Sequence, residues 1–152
     1  MRLLPFLVTT GVLFSAACTD SAPRSVEAGS AELTSGGHFT YSAYSTSGKK
    51  VLEGEIDLFL GTDSVVSGVW NIRWAPGADT TLKVGPQVGE GMALGYRTAE
   101  GVVLNLNPFS ADNNVVLRSL VEGGGYTLTG RWTYLGFPGP LAEGRFVATN
   151  GR

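Results

Sequence analysis

The chain has 152 residues, with 11 basic and 13 acidic side chains and a formal net charge of -2. This mild acidity argues against a nucleic-acid partner, which needs a basic stripe to neutralise phosphates. One cysteine and one histidine exclude an internal disulfide and a Cys/His metal cluster by count. The 22 glycines interrupt apolar runs throughout, a pattern that suits turns, bulges and closely packed strands better than helices.

Met1 and Arg2 make a short positive start. Leu3 to Phe14 is an apolar run broken by Pro5, Thr9, Thr10 and Gly11, and Ser15-Ala16-Ala17-Cys18 follows. A charged start, a short apolar stretch and small residues at a cut are the plan of a signal peptide. The run is too short for a stable bilayer-spanning helix. Residues 1–17 are therefore read as a signal. Without them, Arg2 included, 135 residues remain with a net charge of -3, enough for one domain.

Small residues ending directly in Cys18 resemble the lipobox of bacterial lipoproteins. In that family a diacylglycerol is placed on the cysteine thiol, the signal is cut before it, and the new N-terminus is acylated. The resemblance makes Cys18 the lipidated residue, Ala17-Cys18 the cleaved bond, and the membrane a partner through the lipid. The family usually has Leu three places before the cysteine, where Ser15 stands here. The alternative is an ordinary signal peptide that leaves a free thiol, a liability in an oxidising compartment. The resemblance implies a cell-envelope location. Thr19, where an Asp would favour the inner membrane, points to the outer membrane if the organism has one.

Residues 18–37 are small and polar after the cysteine and read as a flexible linker, with a short helix over Val26 to Leu33 as the alternative. Residues 38–152 alternate in the manner of strands between turn signals. Strands are predicted at His38 to Ser45, Lys50 to Leu60, Ser64 to Trp74, weakly at Thr80 to Val84, then at Gly91 to Arg97, Val102 to Asn107, Val115 to Val121, Tyr126 to Leu135 and Leu141 to Thr149. About eight or nine short strands with hairpin-length turns make an all-β antiparallel meander. Closure removes exposed edges, so a small up-and-down barrel is expected, with a β-sandwich as the alternative.

Val66-Ser67-Gly68-Val69-Trp70 and Leu128-Thr129-Gly130-Arg131-Trp132 share a glycine two places before an aromatic, and Ala142-Glu143-Gly144-Arg145-Phe146 echoes them. A same-face glycine makes room for an aromatic and lets a strand bend. The texture loosely resembles lipocalin-like and avidin-like barrels, and no binding residue is carried over from them.

No catalytic constellation emerges. His38 has no Gly-x-Ser-x-Gly elbow to serve and reads as a surface histidine. Glu53, Glu55 and Asp57 alternate with apolar residues and read as a solvated face near Lys49 and Lys50. Gly89 to Gly95 misses the dinucleotide fingerprint by one position, and neither a metal site nor a cofactor motif is found. Trp70, Tyr96, Asn105, Trp132 and Tyr134 are the candidate ligand-binding residues, as aromatic walls and a polar group of a barrel interior. Trp74, Tyr126, Phe146 and Asn107 belong to the same consideration. The expected function is a non-catalytic envelope barrel that binds a small apolar ligand or a protein partner. A purely structural or interaction module with a solid core is the alternative, and a hydrolase is the third reading. Cys18→Ser is expected to abolish lipid attachment; a Cys18→Ser protein that still partitions into the detergent phase would refute lipidation.

Overall fold

The computed structural model describes residues 36–151 other than Gly123. The signal, Cys18 and nearly all of the linker lie outside the described residues. Eight strands follow in chain order: β1 (Gly37–Ser45), β2 (Lys50–Leu60), β3 (Val65–Trp74), β4 (Gly89–Arg97), β5 (Gly101–Asn105), β6 (Asn113–Glu122), β7 (Thr127–Gly136) and β8 (Gly139–Asn150). Each pairs antiparallel with the next, and β8 pairs back with β1 from Phe39↔Asn150 to Ser45↔Gly144. The result is a closed up-and-down barrel, and the sandwich alternative falls.

The weak strand expected at Thr80 to Val84 does not form. The β3–β4 connection instead plugs one end of the barrel. Val84 enters the core and Gln87 is fully buried. Burial raises the pKa of the Tyr41 phenol far above its ordinary value. Its hydroxyl therefore stays protonated and donates to Gln87 Oε1 at 3.2 Å, while Gln87 Nε2 donates to the Val84 carbonyl at 2.7 Å. A buried amide is tolerated because both of its ends are partnered.

Strict alternation fills the interior. Phe39, Tyr41 and Ala43 point inward from β1, Ile56 and Leu58 from β2, and Val66, Trp70 and Ile72 from β3. Leu117, Leu128, Trp132, Phe146 and Ala148 complete the far wall. An eight-stranded barrel is just wide enough for side chains to fill. Val51 breaks the alternation because it is the extra residue of a bulge, where Ala43 faces Leu52 and Tyr44 faces Lys50. A second bulge, on β8, leaves Leu141 between Ala142 and Pro140, a place where a residue without an N–H costs no ladder bond.

The repeated glycine–aromatic spacing finds its partners across strands. On β7 and β8, Gly130 faces Phe146 and Trp132 faces Gly144, so each aromatic lies opposite a glycine. On β3 and β4, Trp70 faces Gly91. A Cβ at Gly91 would come within 2.7 Å of the Trp70 ring, and one at Gly144 would meet both the Tyr44 carbonyl and, at 2.5 Å, Trp132 Nε1. Gly68 and Gly130 act differently from the sequence expectation. A Cβ there would run into a main-chain carbonyl of the neighbouring strand, that of Asp57 and that of Arg118 respectively. These two glycines admit a backbone, not an aromatic ring.

Gly68→Val and Gly130→Val are therefore expected to lower the urea midpoint. The cost is about 3 kcal/mol, the upper part of the usual overpacking range, because a carbonyl in a ladder cannot swing away. Gly48 sits in a turn with φ of 81° and open space around its Cα, so Gly48→Val acts through backbone strain alone. Wild-type midpoints for the Gly68 and Gly130 variants would refute the close approach.

Candidate functional site

The structure divides the predicted ligand-binding residues between two faces. Trp70 and Trp132 are buried and Tyr134 packs against the core. Their polar handles are already used. Trp70 Nε1 donates to the carbonyls of Leu106 at 2.9 Å and Met92 at 3.2 Å, and Trp132 Nε1 donates to the Tyr44 carbonyl at 3.1 Å. Neither indole is left to hold a ligand. Tyr134 lies close under Gly85 of the plug, where a Cβ would meet its ring at 2.5 Å.

Tyr96 and Asn105 face outward. Tyr96 is 51% exposed and stands opposite Val103 and Val65 among exposed apolar residues of the outer face. Asn105 follows the parity of Val103, and on β5 it is Val102 and Leu104 that enter the core. Asn105 Nδ2 donates to Asn114 Oδ1 at 2.9 Å, and its own Oδ1 accepts the Asn107 N–H at 2.9 Å. Asn107 Nδ2 donates to the Asn113 carbonyl at 2.7 Å. Both asparagines thus secure the β5–β6 turn. Tyr126 precedes β7 and is partly exposed at the turn, off the interior face expected for it. Val102, Leu104 and Leu106 are the apolar set that enters the core, and Asn105 shares the outer set with Val103 and Asn107.

The acidic set on β2 faces outward as expected. Glu53 accepts from Lys50 at 2.9 Å and from Arg73 at 3.0 Å, and both cations hold its carboxyl below the usual range. His38 Nδ1 lies 2.7 Å from Asp57 Oδ1, and its Nε2 is 3.9 Å from Glu55. A histidine oriented by an aspartate is two thirds of a catalytic triad. The small cleft around this pair is lined by Gly36, Gly37, Leu58, Phe59 and Leu60, and none of them can serve as a nucleophile. The arrangement can hold a proton, and among the described residues no nucleophile lines the cleft beside it.

A groove of about 1220 Å³ lies elsewhere on the outer surface, across β5 to β8. Its floor is the outward set of these strands. Arg118 faces Arg131, Arg131 faces Arg145, and Arg145 faces Tyr44, so one cross-strand row carries three guanidinium groups side by side. Val103 extends the row on β5 and Lys50 extends it on β2. Thr129, Thr133, Leu120 and Val147 flank the arginines, and Glu100 and Glu122 stand at one end. Arg131 Nη2 donates to Glu143 at 2.9 Å. Among the described residues Arg118 and Arg145 have no acidic partner within 4.0 Å. Sequence reasoning missed this site because the three arginines lie on three separate strands and meet only once the register is known.

Hydrogen bonding to Asp57 is the main cause that raises the His38 pKa; desolvation opposes it, and the charges of Asp57 and Glu55 add to the rise. A raised folded-state pKa favours the folded state at low pH, and that contribution is lost as pH rises through the folded value. An NMR titration is expected to place His38 above the ordinary histidine value and to bring it down in Asp57→Asn. An unchanged His38 titration in Asp57→Asn would refute the pairing.

No protein family matches the chain, and no curated protein shows significant similarity to it.

Proposed function

We propose that the protein is a lipid-anchored, non-catalytic module of the cell envelope that works through the outer face of a solid barrel. The observation that carries this reading is the contrast between interior and exterior. Phe39, Tyr41, Leu58, Ile72, Leu117 and Phe146 fill the barrel axis and are essentially inaccessible, while the outer face holds a groove of about 1220 Å³. A ligand pocket needs unfilled volume and a few convergent polar groups that are free to bond. The interior has its volume occupied and its indole and phenol donors engaged. The groove has both open volume and unpaired donors.

The anchor rests on Ser15-Ala16-Ala17-Cys18. Acyl chains on Cys18 would attach the protein with about 0.8 kcal/mol per buried methylene. The nineteen residues from Cys18 to Gly36 span at most about 65 Å when fully extended, which sets how far the barrel can stand from the membrane.

Native mass spectrometry of the protein purified from its own host separates this reading from the interior-ligand one. The expected barrel is free of small apolar adducts. A stoichiometric apolar adduct, retained by the wild type and lost on Trp70→Phe or Trp132→Phe, would overturn the outer-face reading.

A further inference from the structure

We infer that the groove over β5 to β8 is a binding site for a multivalent oxyanion, a ligand with at least two phosphate groups. This rests on the outer-face reading and names the ligand class for it.

Three arginines in direct cross-strand register are an unfavourable arrangement for folding. Like charges directly opposite one another destabilise a sheet. Arg118, Arg131 and Arg145 occupy successive strands in one row, and only Arg131 has a carboxylate beside it. The β2 outer face shows the contrast. There each acid has a base beside it: Glu53 has Lys50 and Arg73, and Glu55 and Asp57 have His38. The barrel balances charge on one side and stacks like charge on the other.

The geometry suits spaced oxyanions. Adjacent strands lie about 4.8 Å apart, so the three arginine α-carbons span about 10 Å. Guanidinium groups present planar forks that grip phosphate oxygens bidentately. Thr129 and Thr133 stand on either side of Arg131 on the same outward face of β7 and add hydroxyl groups along it. Thr129 already donates to Glu122 at 2.7 Å, so Thr133 is the hydroxyl left to a ligand. Glu122 and Glu100 would repel an anion at one end, and they lie toward the turns while the arginines lie mid-strand. A single monoanion would satisfy one guanidinium and leave the repulsion between the others. Two or more phosphates neutralise the row as a unit.

The test is calorimetric titration of the full chain in neutral detergent with inorganic tripolyphosphate, and separately with glucose 1,6-bisphosphate. Saturable binding of either, weakened by added salt, is the expected result. Tighter binding of tripolyphosphate points to a polyphosphate chain, and tighter binding of the sugar points to a phosphorylated saccharide. Arg118→Gln and Arg145→Gln should each weaken binding about tenfold or more. Arg73→Gln, whose guanidinium is held by Glu53, should bind as wild type does. Without ligand and at low salt, Arg118→Gln should melt at or above the wild-type temperature, because it removes a repulsion. A merely structural arginine would lower it. Orthophosphate that binds as tightly as tripolyphosphate, or affinity indifferent to Arg118 and Arg145, overturns the assignment. An adduct-free barrel that binds no oxyanion refutes this inference and leaves the outer-face reading standing. An apolar adduct inside the barrel refutes that reading itself.

Discussion

Trp132 rests on Gly144 and donates its indole N–H to the Tyr44 carbonyl, a contact that ties β7 to β1 across β8. Trp70 does the same on the opposite side. It rests on Gly91 and reaches the carbonyls of Met92 and Leu106, where β4 pairs with β5 only from Leu94 to Arg97. Both indoles place bulk in the barrel and also satisfy carbonyl groups near places where the strand ladder is irregular or ends. A buried carbonyl left unbonded would cost about 1–3 kcal/mol. Both indoles are buried in the core, where they fill the interior and cap carbonyls at once.

Much of this architecture was legible in the chain. Val66, Gly68, Trp70 and Ile72 alternate without exception, as do Leu128, Gly130, Trp132 and Tyr134, and period-two alternation names the inward face directly. Pro76-Gly77 and Gly124-Gly125 lie in turns, with Gly77, Gly124 and Gly125 at positive φ, whereas Asn113 and Asn114, turn formers by type, open β6. Along β5 and just beyond it, the alternation of Leu104 and Leu106 with Asn105 and Asn107 marks the outer face, and the expectation of Asn105 as a polar group inside the barrel ran against that marking. Thr80 to Val84 carried enough β-formers to suggest a strand. Gln87 and Val84 instead enter the barrel end, a tertiary demand that no local pattern encodes. The paired role of Gly144 and Trp132 was half visible. The spacing within each strand could be read, but the identity of the glycine beneath each ring needed the register.

The arginine row was hidden for the same reason. Arg118, Arg131 and Arg145 lie thirteen and fourteen residues apart in sequence, and each looks like an ordinary exposed residue of an alternating strand. An antiparallel meander converts such spacings into adjacency whenever the hairpin centres fall midway between them. Composition was equally silent, because 13 acidic residues spread through the chain outnumber its 11 basic ones and leave a net charge of -2. Net charge describes solubility and long-range attraction, whereas a site depends on where the charges fall.

Core and groove are linked through Gly130. Its backbone lines the groove floor, and its missing Cβ lets β7 approach the Arg118 carbonyl of β6. The same close approach therefore bends the sheet for closure and sets the bases of Arg118 and Arg131 beside one another. Phe146, opposite Gly130 on the inner face, supports that bend from below and stacks on Tyr41 at a centroid distance of 5.8 Å. A packed interior has low compressibility and holds its shape under strain. The arginines consequently project from a floor that cannot splay to relieve their repulsion. A softer sheet would let the three charges drift apart and would weaken any ligand that needs them together. The solid core and the crowded cationic row are thus parts of one arrangement, in which rigidity inside keeps an unfavourable charge pattern in place outside.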